Sequence, residues 1–168
     1  MTETAATPDP MMEAISVAVS LGYEGDPESA RHRLLALWQE IGAGGDSLHR
    51  CTLAHYLADL YVDPAEALMW DVRALDAAET LTEERVQQHD ASLHVVGFYP
   101  SLYLNLADNF RRLGAFRAAA EQISHAEQHA SALPGGPYGD TVRSAIQELR
   151  QAIARRDTTR RASAPGPG

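Results

Sequence analysis

Residues Pro100 to Pro134, PSLYLNLADNFRRLGAFRAAAEQISHAEQHASALP, decide the fold. Tyr103, Leu106, Ala107 and Phe110 recur at i, i+3, i+4 and i+7, the spacing of one helix face. Gly114 follows the last apolar residues and stops that helix. Phe116, Ala119, Ile123 and Ala126 form the matching face of a second helix, which Pro134 ends. Small residues stand where two helices must touch, so the stretch predicts a tight helical hairpin.

The same residues resemble a tetratricopeptide repeat, a helix–turn–helix unit of about 34 residues. The aromatic, the Leu-small pair, the second aromatic, the glycine, the next aromatic and both alanines of that pattern are present. The resemblance implies an all-α fold of antiparallel hairpins stacked as a short right-handed solenoid. It also implies a non-enzymatic module that holds a peptide or partner helix on its concave side.

Composition agrees with a helical protein. The chain has 168 residues, 45% of them hydrophobic, enough for a real core. Ala and Leu dominate over β-branched and aromatic residues. The net charge is −9 and every basic residue is Arg, a bias shared with GC-rich, actinobacterial-like bacterial genomes. An acidic chain is a poor partner for nucleic acid, which needs a basic face. Up to residue 154, ten Arg stand against 22 Asp and Glu; Arg155, Arg156, Arg160 and Arg161 crowd the residues beyond, with Asp157. Cys51 is the only cysteine, so no internal disulfide is expected. MTETAATPDP lacks a basic start and an apolar core, and no run approaches a membrane span. The expectation is a cytoplasmic protein with no membrane or nucleic-acid partner and no cofactor.

Working outward, two looser hairpins precede the strong one. The first covers about 11–42, with Ile15, Ala18 and Leu21, a break at Gly22 to Gly25, and a restart at Asp26-Pro27. The second covers about 46–80. There, Leu57-Ala58-Asp59-Leu60-Tyr61 echoes Leu106-Ala107-Asp108-Asn109-Phe110, but Asp63-Pro64 shortens the turn and Asp71 falls where a large apolar residue is expected. Residues 81–99 are extra, with a helix start at Thr82-Glu83-Glu84 predicting a helix over about 82–97. That helix either ends before the next or continues into it kinked at Pro100; a break between Gly97 and Pro100 is preferred, since proline disrupts a helix interior. Tyr138, Val142, Ile146, Leu149 and Ile153 predict a capping helix over about 138–155. The expected domain is thus 11–156, with disordered ends at 1–10 and 157–168.

Strong catalytic motifs are absent: no phosphate loop, no nucleophile elbow and no HExxH. Glu121, His125 and His129 share a helix face and could hold a metal, or simply form a solvated outer face. Carried over from the repeat family, the groove lining would be His55, Tyr56, Asp59, Asn105, Asp108, Arg111 and Arg112. Asp59 and Asp108, equivalent in the echoed motif, would lie on one surface. The family's carboxylate-clamping Lys, Arg and Asn set is missing. A partner with basic groups fits better, with Arg111 and Arg112 holding any acidic end. A sensor for a small molecule or peptide is the alternative, favoured by an apolar pocket around Tyr99 and Tyr103. A metal-binding or enzymatic protein using His55 with Asp59 is the third possibility. A short stack with exposed ends could also form a homodimer.

Overall fold

A computed structural model describes residues 8–167. Residues 1–7 of the expected N-terminal disorder, and Gly168, lie outside the described residues. Within 8–167 there are eight α-helices and no strands. They are α1 (Pro10–Tyr23), α2 (Pro27–Ile41), α3 (Ser47–Ala58), α4 (Pro64–Ala78), α5 (Glu83–His89), α6 (Tyr99–Arg112), α7 (Phe116–His129) and α8 (Pro137–Ala154).

Local chemistry sets most helix starts. Asp9, Asp26, Asp46 and Asp63 each accept a backbone N–H of the first turn, and Thr82 does the same for α5. Proline follows the cap at α1, α2 and α4, where its missing N–H costs nothing. Between α6 and α7 the turn needs a left-handed residue, and Gly114 supplies it at φ 76°.

Neighbouring helices pack in pairs: α1 on α2, α3 on α4, α6 on α7. The pairs join through α2 and α1 on α3, and through α4 on α6; α8 lies across α6 and α7. The extra segment holds one short helix, α5, which ends at His89 rather than continuing to 97. A 3-10 turn at Val95–Phe98 then leads into α6, with Pro100 in its first turn. Two separate helices therefore occupy 82–112, and the proline sits where a helix tolerates it.

The core has two parts. One gathers Ile15, Leu34, Leu48, Leu57, Trp70 and Val86 from α1 to α5. The other gathers Ala107, Ile123, Val142, Ile146 and Leu149 from α6 to α8. Helix α6 serves both, through Leu102 to the first and Leu104 to the second. Tyr138, expected in the α8 stripe, is 55% exposed.

A network of charges ties the start of α1 to α3 and α5. Asp9 receives His49 Nε2 at 2.8 Å and an Arg85 guanidinium nitrogen at 2.9 Å, and Arg85 Nε reaches Asp46 at 2.7 Å. Burial works against ionising Asp9, but the hydrogen bonds from His49, Met12 N–H and Arg85 outweigh it and hold its pKa down at about 2.

Candidate functional site

Central position makes α6 unusual: it is buried nearly all round, yet carries Asn105, Asp108, Asn109, Arg111 and Arg112. Those side chains need partners. Asp71 of α4 is one of them. Its side chain is 1% exposed, accepts Asn109 Nδ2 at 2.7 Å and Asn105 Nδ2 at 3.4 Å, and faces His55 Nδ1 at 3.9 Å. Asn105 also donates to Asp59 at 3.3 Å. Asp59, Asp71 and Asp108 thus line one polar space of about 30 Å³, with Asn105, Asn109 and Arg112. That volume suits about one water molecule.

Burial dominates the chemistry. It pushes the Asp59 carboxyl up to about 7, against the opposing Asn105 hydrogen bond and the nearby Arg160 charge. It raises Asp71 well above the carboxylate range, helped by the neighbouring Asp59. The same burial holds His55 down to about 4, so its ring is neutral at pH 7, and its Nδ1 has no hydrogen-bond partner. His55 therefore meets Asp71 rather than acting with Asp59 as base and orienting acid.

Arg111 is completely buried. Its guanidinium grips Asp108 at 2.7 and 3.1 Å and donates to the carbonyls of Asp157 and Thr159. Arg112 donates to the Val62 carbonyl at 2.8 Å. Arg111 is not free to hold an acidic end of a partner, because a central helix turns that side chain inward onto Asp108 and two carbonyls. Tyr56 lies outside the polar space, 36% exposed, and lines the adjoining pocket with Asp59.

The segment read as a disordered tail is placed here against the body. Asp157 and Thr159 are held through their carbonyls by Arg111. Arg161 is 7% exposed at its side chain, with Nε 3.7 Å from Asp108 and a second guanidinium nitrogen 3.3 Å from Glu148. Ser163 donates to Glu148 at 2.9 Å. Arg160 folds onto the carbonyls of Ala164, Pro165 and Gly166. Gly166 sits at φ 82°, where a Cβ would lie 1.7 Å from the Asp59 carbonyl oxygen. The segment roofs the polar space and, with Tyr23, Leu34, Tyr56 and Leu60, closes one side of an adjoining apolar pocket of about 370 Å³.

Tyr99 and Tyr103 line neither of these two spaces. They stack on each other at 5.8 Å and against His129 and His125, with ring centroids 5.0–5.6 Å apart. His129 Nδ1 lies 2.8 Å from the His125 carbonyl oxygen. No group of three or more metal-ligating side chains is assembled among the described residues. No helix of the described residues is long and apolar enough to cross a membrane.

Of the seven expected lining residues, Asp59, Asn105, Asp108 and Arg112 share one space with Asp71 and Asn109. Asp71 was visible in the sequence only as a misfit in an apolar register. Asn109, Arg160 and Arg161 were not among the expected lining residues. Comparison of the chain with family models, with curated proteins and with solved structures returned no match.

Proposed function

We propose that this chain is a protein-interaction module of tetratricopeptide-like character that holds an extended, arginine-bearing peptide across an acidic site. The observation that carries the reading is the convergence of Asp59, Asp71 and Asp108 from three stretches of chain on one space, under a segment bearing two adjacent arginines. Guanidinium groups suit such a site because they remain charged when desolvated and donate in a fixed fork. The repeat pattern of Pro100–Pro134 supports the same reading, as does the net charge of −9.

The test is an array of 12-residue peptides carrying zero to three arginines. It is probed with wild type, with Asp59→Arg and with the full chain bearing Arg160→Ala/Arg161→Ala. Capture rising with arginine number, weakening with salt and lost in Asp59→Arg supports the reading. Capture independent of arginine number in both wild type and the double variant overturns it. Asp108 is left alone, because Arg111 is buried against it and charge reversal there would break the fold.

The 370 Å³ pocket favours a second reading, a small-molecule sensor whose ligand sits against Leu34, Tyr56 and Leu60. A thermal-shift screen of small apolar compounds tests it. Stabilisation that Leu60→Arg abolishes is the expected result, and no shift from any compound removes it.

A further inference from the structure

Residues 157–167 are held in an uncommon way. None of them is fully buried. No apolar residue of the segment belongs to either core cluster. Its anchors are polar: Arg111 on two of its carbonyls, Arg161 between Asp108 and Glu148, Ser163 on Glu148, and Gly166 against the Asp59 carbonyl. Polar anchors of this kind can be matched by the same groups on another chain, and the one at Glu148, half-exposed, also weakens with salt.

What lies beneath leaves one acid without a cation from the body. Asp59 and Asp108 face the segment; the buried Arg111 pairs with Asp108, whereas, among the described residues, Asp59 accepts only the Asn105 amide from the body. Arg161 enters this site nine-tenths buried, its Nε without a hydrogen-bond partner though near Asp108. That is the posture of a ligand side chain at a site that accepts it without matching all its donors. Pro165, Gly166 and Pro167 then extend over Asp59 toward Tyr56 and the turn between α1 and α2. Proline limits the entropy lost on laying this stretch down.

We propose that residues 157–167 are a displaceable resident ligand of the acidic site. They define the partner as an extended peptide with two adjacent arginines followed, within about six residues, by a Pro-Gly-Pro-like turn. The inference rests on the peptide-binding reading above and adds both the ligand class and its regulation. The segment competes in cis, so a partner binds only by outmatching it or after it is released. Effective concentration favours the tethered copy, set by its short connection to α8.

The experiment uses the full chain. A fluorescein-labelled peptide DTTRRASAPGPG is titrated by anisotropy against wild type, Arg160→Ala/Arg161→Ala and Gly166→Ala, each checked for helical content by circular dichroism. Gly166→Ala keeps both arginines but places a Cβ against the Asp59 carbonyl, so it opens the site by a second route. Both variants should bind the peptide at least tenfold more tightly than wild type. A peptide with both arginines changed to glutamate should not bind. Equal binding by wild type and both variants, or no binding to any, overturns the proposal. If arginine peptides of other sequence are captured from the array while DTTRRASAPGPG is ignored, the acidic site stands as a peptide site and the resident-ligand inference falls. If no arginine peptide is captured by any chain, the binding reading itself falls.

Discussion

Replacing Asp71 by asparagine separates two ways of burying a carboxyl group. Asp71 is 1% exposed, and its hydrogen-bond donors are the neutral amides of Asn105 and Asn109. No guanidinium reaches it. His55 is close, but burial keeps that ring neutral. The site therefore favours the protonated form of the acid. Its folded pKa lies above its unfolded one, so the fold binds a proton that the unfolded chain has released. The associated stability is complete below about pH 4 and is lost as pH rises toward the folded pKa, at about 1.4 kcal/mol per pH unit. Asparagine has the shape of the protonated acid and does not titrate. It can keep the 2.7 Å bond from Asn109 through its oxygen, while its amide turns toward the Asn105 side-chain oxygen.

Urea unfolding of wild type and Asp71→Asn, followed by circular dichroism at pH 4, 5, 6 and 7.5, reads the difference. The two should be matched within about 1 kcal/mol at pH 4, the ordinary cost of one altered hydrogen bond. The variant should then gain on wild type as pH rises, by up to about 1.4 kcal/mol per unit while Asp71 keeps its proton. The opposite result is equally definite. If Asp71 were ionised and paired with a protonated His55, the substitution would strand a buried cation. A loss of roughly 3–5 kcal/mol at pH 7.5 would follow, and that outcome would refute the neutral-pair reasoning.

Further expectations concern other parts of the molecule. Arg111→Met strands Asp108 and two carbonyls of the following segment, so it should cost roughly 3–5 kcal/mol and lower the thermal midpoint by about 10 °C; a change below about 2 °C would contradict the assigned role. Leu149→Ala empties a fully buried site between α8 and the last hairpin, and should cost roughly 2–5 kcal/mol in urea unfolding. Asp9 is held at about 2, below its ordinary value. Its contribution is therefore present above about pH 4 and lost as pH falls toward 2, and in thermal melts Asp9→Asn should remove that acid-side dependence while lowering stability at pH 5. Arg85→Gln cuts the links to Asp9 and Asp46 and should speed amide exchange in α5 ahead of the rest of the chain.

The helices were legible because their causes are local. Asp26-Pro27 and Asp63-Pro64 announce caps, and the Tyr103 to Phe110 and Phe116 to Ala126 stripes announce a hairpin. The acidic site was legible only in part, because its causes are not local. Asp71 pairs with amides 34 and 38 positions away, so in its own helix it reads as an error in an apolar face. Hydrophobic periodicity identifies the one face of a helix that meets a core. It has nothing to say about a helix such as α6, whose other faces are buried against matching polar groups. The 157–167 segment escaped for a related reason. Composition judges order by the apolar surface a stretch can bury, and this stretch buries almost none. It is placed instead by a guanidinium on α6 that binds backbone carbonyls, an interaction any sequence could accept. Arg111 thus links the two omissions: the side chain that neutralises Asp108 inside the site also positions the segment that roofs it. One residue of α6 therefore both pairs with an acid of the polar space and holds the segment above it through two backbone carbonyls.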